Sequence, residues 1–301
     1  MTNAIELHHV TRSFGRSRAL DDVTVAVPEG SICGLLGRNG AGKTTIMSIV
    51  SGQDRPSSGR VEVFGEPPFE NESVLRRISF VRDNQRYPDN YQLHHVLRIA
   101  PDFAPNWDVE VAAELVEGFR IPDKTQIKKF SRGQLSSVAI VLGLASRAPL
   151  TLLDEPYLGL DVTGRSLFHR ILLRDYAEHP RTILLSTHLI EESEAMFDRV
   201  VIVDRGRIRV DSDRDDALNL AFTITGTTDA VDRLIAQRTV LQSHSVAGLK
   251  SVTVEGSVDA DLRDEARGLS AQIKPASLQE LAAAFGEEAP EPLEIKKGAR
   301  A

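Results

Sequence analysis

The chain has 301 residues, 41% hydrophobic and 26% charged, with a net charge of −7 and a single cysteine. That length suits one large domain and a smaller one, and the negative charge supplies no general attraction to nucleic acid. No apolar run approaches the roughly 18 residues of a membrane-spanning helix, and the N-terminus lacks a basic-then-apolar signal pattern, so the chain reads as soluble and cytosolic.

In chain order, short β-branched or leucine-rich runs alternate with helical stretches, the pattern of a parallel α/β sheet. Strands are predicted over 5–10, 24–27, 31–36, 59–63, 77–81, 150–153, 182–186 and 200–203, with 207–210 closing the series. Cys33 lies mid-strand and cannot form an internal disulfide, so it reads as a buried structural thiol. Arg12, Arg16 and Arg18 read as a solvated loop. From Tyr91 to Arg147 only helices are predicted, with Val109, Ala112, Ala113, Val116 and Phe119 at helical spacing, which implies a helical subdomain over about 88–147 inserted into the sheet.

A polar run beginning at Asp211 separates a second region. There the order is strand (Leu220, Phe222, Ile224), helix (229–237), strands (239–243 and 251–254), helix (260–267) and strand (271–274), the βαββαβ order of ferredoxin-like domains. A last helix over 278–285 opens with Ser277 and Glu280 in capping-box register. The domain boundaries are 1–212 and 213–286, and the tail 287–301, with Pro290 and Pro292, reads as disordered.

Residues 37–44, Gly37-Arg38-Asn39-Gly40-Ala41-Gly42-Lys43-Thr44, complete the phosphate-binding pattern G-x-x-x-x-G-K-[ST] directly after the apolar run 32–36. Beyond Lys43, Ile46, Ile49 and Val50 share one helical face. Backbone amides between the glycines and at the helix start, with Thr45 beside them, form an anion cradle. Here Lys43 bridges the β- and γ-phosphates of a nucleotide, and the Thr44 hydroxyl ligates Mg²⁺ beside an acid from elsewhere. Leu150 to Glu155 supplies it: Asp154 at a strand end is the metal-side acid, and Glu155, one residue further, is placed to activate water as a general base.

Phe130-Ser131-Arg132-Gly133-Gln134 lies about twenty residues before Asp154, and Thr187-His188 follows the strand 182–186. This succession of phosphate loop, Ser-x-Gly-Gln, Asp-Glu and lone His resembles the ATPase subunits of ABC transporters over residues 5 to about 212. The resemblance implies an α/β P-loop NTPase of ABC type with an inserted helical subdomain, here followed by a small α+β ferredoxin-like domain. It implies ATP and Mg²⁺ as ligands, and a homodimer or heterodimer of ATPase subunits in which Ser131, Arg132, Gly133 and Gln134 meet the γ-phosphate of ATP held by the opposite subunit. It further implies Asp161 in a D-loop at the dimer seam, His188 as the switch histidine on the γ-phosphate, and Phe14 stacked on adenine. A core or hairpin aromatic is the other reading of Phe14. The partner implied is a transmembrane permease, holding the chain at the inner face of the cell membrane, with no nucleic acid. Independently of any ligand, Ser131 and Gln134 form a capping box, and Leu135, Val138, Ala139 and Leu142 form a core stripe.

Two positions depart from the family pattern. Arg132 replaces the first glycine of the signature; it either strengthens γ-phosphate binding or fills space, and activity is expected to be retained. Where the family carries a coupling glutamine after the strand at 78–81, direct alignment gives Asp83, with Gln85 two residues later; Gln85 is the preferred candidate, and plain loop residues are the alternative. Residues 101–108 resemble a stretch from a bacterial branch linked to export or antibiotic response, in which Trp107 either packs the helical subdomain or faces the membrane partner. The leading reading is the ATP-hydrolysing subunit of an exporter. The alternative is a non-transport ABC ATPase or a nucleotide-gated regulatory subunit acting on ribosome or DNA, disfavoured by the single ATPase domain and the lack of heptads. The second domain offers no catalytic constellation, and a regulatory or dimer-stabilising role is expected.

Overall fold

In β1 (Asn3–Phe14), Ile5 and Leu7 are buried while Glu6 and His8 stay partly exposed. That alternation marks a half-covered antiparallel strand. β1 pairs antiparallel with β2 (Ser17–Pro28) and with β4 (Ser58–Val63), giving a three-stranded sheet of order β2-β1-β4. The expectation of a single parallel sheet is therefore corrected to two sheets. The supposed solvated loop is also corrected: Arg12 and Arg18 belong to the β1–β2 hairpin, and Arg12 pairs with Asp54 at 2.7 Å. The computed structural model describes residues 2–82 and 85–285 and divides into two units, Met1–Arg214 and Asp215–Ala301.

The second sheet of the first unit has the order β5 (Ile78–Arg82), β6 (Leu150–Asp154), β7 (Thr182–Ser186), β3 (Ile32–Leu36), β8 (Arg199–Asp204), β9 (Arg207–Asp213), parallel except for the β8–β9 hairpin. Every residue of β3, β6 and β7 is buried, as strands covered on both faces must be, which is why they read as unbroken apolar runs. α1 (Lys43–Val50) lies between the sheets: Ile46, Met47, Ile49 and Val50 join Leu7 and Val23 of one sheet and Leu150 and Leu184 of the other in a single core. Cys33 belongs to that core, and burial pushes its thiol pKa up, which leaves it inert.

After the short α2 (Glu72–Leu75) and β5, the chain runs through α3 (Leu93–Phe103), α4 (Val109–Gly118) and α5 (Arg132–Ala145) before returning to β6. Asp108 caps α4 by accepting from the amides of Glu110 and Val111 at 2.9 and 2.8 Å, and these bonds with the Arg147 charge hold its carboxyl below the usual range. Arg147 bridges Asp108 and Asp175 of α6 (Val162–Glu178), each at 2.6 Å, and so ties the helical insert to the sheet layer. α5 opens with the capping box read from Ser131 and Gln134. Its buried surface differs from the expected stripe: Val138 and Ala139 are buried together with Ile140, Val141 and Leu144, because neighbours enclose the helix on several sides, while Leu135 and Leu142 are only half-buried. β7 leads into the short α7 (Ile190–Ser193).

α8 (Arg214–Ala217) carries the chain across the division. The second unit then forms β10 (Ala221–Thr227), α9 (Thr228–Ile235), β11 (Val240–Val246), β12 (Leu249–Glu255), α10 (Ala260–Gly268), β13 (Gln272–Pro275) and α11 (Leu278–Ala284). Its antiparallel sheet has the order β11-β12-β10-β13, a split βαββαβ arrangement. Phe222, Ile224, Val231, Leu234, Val252, Val254, Leu262 and Ala266 form its core. The expected disordered tail lies outside the described residues.

Replacing Asp108 by Ala removes a helix cap and one of the two carboxylates around Arg147. A loss of about 1–2 kcal/mol is expected, measured as a lowered urea-unfolding midpoint; an unchanged midpoint would show that the cap contributes nothing to the insert.

Candidate active site

The strand order β6-β7-β3 brings three chain segments to one edge of the parallel sheet. The loop after β3 leads to α1, β6 ends at Asp154, and β7 ends at Ser186, paired in register with Asp154. A crevice beyond the carboxyl ends of parallel strands is where such sheets bind ligands. Gly37 opens the loop with φ of +143°, and a Cβ there would fall 2.2 Å from the Val203 carbonyl oxygen, so no other residue fits.

Lys43 is 5% exposed. Its ammonium donates to the carbonyls of Gly37 at 2.7 Å and Arg38 at 3.2 Å and lies 3.6 Å from Glu155 Oε1. A small cavity of about 170 Å³ is lined by Asn39, Gly40, Gly42, Lys43, Thr44, Thr45 and Glu155. Ala41 is buried beneath the loop and Arg38 is exposed on it.

Asp154 is 7% exposed, yet both its carboxylate oxygens are occupied: Ser186 Oγ donates to Oδ1 at 2.6 Å and Thr44 Oγ1 to Oδ2 at 2.8 Å. The Thr44 hydroxyl, which lines the cavity, and the Asp154 carboxylate bonded to it are hard oxygen donors of the kind that suits Mg²⁺. The sequence reading missed Ser186. Its only signal was a polar residue ending an apolar strand, and its role depends on the β6–β7 register.

Glu155 leaves the strand in the left-handed region, φ +49°, a conformation that aims its side chain back across the strand ends. Its amide donates to Ser186 Oγ at 3.0 Å. Glu155 Oε2 lies 2.6 Å from His188 Nδ1 and accepts from the His188 amide at 3.3 Å; Oε1 is buried without a hydrogen-bond partner. Lys43, Thr44, Asp154, Glu155 and His188 thus converge.

The remaining predicted residues lie elsewhere in the unit. Phe14 ends β1, is 52% exposed and has the Arg12 guanidinium 4.4 Å from its ring centroid; it does not line the phosphate-loop cavity. Ser131, Arg132, Gly133 and Gln134 start α5. Gly133 packs so closely on the turn after β6 that a Cβ would sit 2.3 Å from the Gly159 carbonyl oxygen. Asp161 caps α6 through the Gly164 amide at 2.7 Å. Gln85 is exposed and, with half-buried Trp107, lines an apolar groove of about 590 Å³ between β5 and the helical insert; Asp83 lies outside the described residues.

A glycine-rich loop between a buried strand and an enclosed helix, faced by Asp154 and Glu155 and carrying a helical insert, defines an ATP-binding cassette. Residues 20–158 match the family described as ABC transporter. The bacitracin transport ATP-binding protein BcrA of Bacillus licheniformis is 32% identical over 69% of this chain and 69% of its own length. The aliphatic sulfonates import ATP-binding protein SsuB 1 of Burkholderia lata is 33% identical over 69% of this chain and 64% of its own. A solved ATP-binding subunit of an ABC transporter is 27% identical, covers 71% of this chain and 91% of that chain, and superposes with a TM-score of 0.64. The chain belongs to the ATP-binding subunits of the ABC transporter family and is an ATPase. Among the described residues no helix is long and apolar enough to cross a membrane.

Lys43→Ala removes the buried ammonium facing the cavity and is expected to weaken ATP binding about tenfold or more. Titration with a fluorescent ATP analogue measures it, and wild-type affinity would remove Lys43 from the phosphate site.

Proposed function

We propose that two ATPase subunits of this kind close around two ATP molecules and that hydrolysis drives a separately encoded membrane permease in the export direction. The observation that carries the hydrolytic part is the position of Glu155, held 2.6 Å from His188 Nδ1 and 3.6 Å from Lys43 beside the phosphate loop. On ATP binding, the Lys43 ammonium turns from the carbonyls of Gly37 and Arg38 to the β- and γ-phosphates, and the α1 amides take the remaining oxygens. Glu155 then accepts the proton of the attacking water while His188 fixes its carboxylate and reaches the γ-phosphate. Thr44 and Asp154 would hold Mg²⁺, which supplies charge neutralisation at the phosphate oxygens. The Ser131 to Gln134 segment of one subunit completes the γ-phosphate site of the other, Asp161 lies at the seam, and Phe14 stacks on the adenine.

The apolar groove supports the permease partner. Phe80, Tyr87, Val96, Phe103 and Trp107 line it with Gln85 at its edge, and Phe103 is 78% exposed, an apolar surface suited to another protein's helix. Gln85 therefore stands as the coupling residue between site and permease. Export is favoured by the resemblance of residues 101–108 and by the bacitracin transport relative, although the sulfonate relative is named for import. For the second unit we infer a regulatory or dimer-stabilising role from its self-contained core.

Glu155→Gln is expected to bind ATP and accumulate a dimer on size-exclusion chromatography with hydrolysis down about a hundredfold or more; wild-type turnover would remove Glu155 from its role. Recovery of a multi-span membrane protein with the tagged chain is expected on purification, and stable association with ribosomes instead would overturn the permease reading. Deleting residues 215–301 is expected to lower dimer recovery or change the ATPase rate, and no change in either would limit that unit to packing or partner contact.

A further inference from the structure

The Tyr157 hydroxyl sits under the catalytic edge in a network that the ATP chemistry above does not use. Tyr157 is 2% exposed, and its oxygen lies 2.9 Å from His169 Nε2 on α6 and 2.9 Å from Ser193 Oγ on α7. Ser193 Oγ also lies 3.1 Å from the Leu189 carbonyl, next to His188. The ring is held edge-on by Phe168 and by His169, with centroids 5.4 and 5.2 Å away. Glu155 and Tyr157 are two residues apart on one turn, and His188 and Ser193 lie on the other. The two turns are joined at one end by Glu155 and His188, 2.6 Å apart, and at the other by Tyr157 and Ser193.

We propose that the Tyr157 hydroxyl, oriented by His169 and bonded to Ser193, is a positioning device that sets the spacing between the Glu155 turn and the His188 turn. This rests on the reading of Glu155 as general base and His188 as its partner. Burial keeps the Tyr157 phenol protonated and holds His169 below the usual histidine range, so the network is neutral. A phenol has one proton and a neutral imidazole one N–H, so the hydroxyl donates to one neighbour and accepts from the other, and the His169 tautomer sets the direction. No chemistry passes through the network. A second tie joins the same elements at the surface: Arg165 of α6 donates to the Leu160 carbonyl at 3.0 Å and pairs with Glu192 of α7 at 2.8 Å. Loss of the Tyr157 hydroxyl therefore leaves the turns attached but frees their relative position, and small misplacement of a general base is costly to rate.

The test uses the full chain and steady-state ATPase kinetics on Tyr157→Phe, which keeps the ring packing, and on His169→Asn and His169→Gln. A Gln amide reaches the position of Nε2, whereas that of Asn does not. The expected result is a fall in kcat of about tenfold for Tyr157→Phe and His169→Asn, with KM for ATP within about twofold of wild type and partial recovery in His169→Gln. A wild-type kcat for Tyr157→Phe, or equal losses in the two His169 variants, overturns the proposal. The Glu155→Gln control separates the two levels: if it hydrolyses ATP normally the reading of the site fails, whereas if it is inactive and Tyr157→Phe is normal only the positioning role fails.

Discussion

The buried carboxylate of Asp154 is the constraint around which this site is arranged. A charge in that environment is tolerated only with donors on its oxygens, and the two it has come from different elements: Ser186 ends β7 and Thr44 begins α1. One side chain thus links two adjacent parallel strands and the helix lying between the two sheets. Register β6 against β7 differently and Ser186 would face away; turn α1 and Thr44 would leave. The continuous burial of β3, β6 and β7 and the packing of Ile46, Met47, Ile49 and Val50 stabilise that arrangement from both faces of the sheet.

Glu155 follows from the same constraint. Because Asp154 ends the strand, its successor must leave the sheet at once, and it does so in the left-handed region, at a local cost of about 1 kcal/mol or more for a residue with a Cβ. The Ser186 hydroxyl that donates to Asp154 also accepts the Glu155 amide. Asp154 and Glu155 are therefore oriented by one serine, and a shift of β7 would disturb both.

Legibility in the sequence divided along the same physical line. His188 was singled out only by family resemblance, whereas the phosphate-loop pattern, Asp154 and Glu155 could be singled out because each is local, a set of glycines before a helix or acids ending an apolar run. The βαββαβ order of the second unit was readable for the same reason. What needed the fold were relations between distant segments. Ser186 carries no motif, and its importance appears only when β7 pairs with β6. The two-sheet architecture was hidden because the β-branched runs of β1 and β2 look like those of β3, and only the exposure of Glu6 and His8 beside buried Ile5 and Leu7 separates them. The breadth of the buried surface of α5 was also invisible, since it depends on which neighbours enclose it.

The departure at Arg132 can be judged against the packing at the start of α5. Of the two positions where the signature pattern has glycine, Gly133 is the one whose Cβ would collide with the Gly159 carbonyl, at 2.3 Å, while residue 132 is exposed. A side chain at 132 therefore leaves intact the contact between α5 and the turn that runs from Glu155 to Asp161. The Ser131–Gln134 capping box is likewise present, with bonds of 2.9 and 3.2 Å. Arginine is accommodated where glycine is not sterically required, and the helix start keeps both its cap and its approach to the turn after β6. The substitution changes the charge presented at that surface and not the framework beneath it, which is the physical reason to expect retained ATP turnover with an altered electrostatic contribution at the signature.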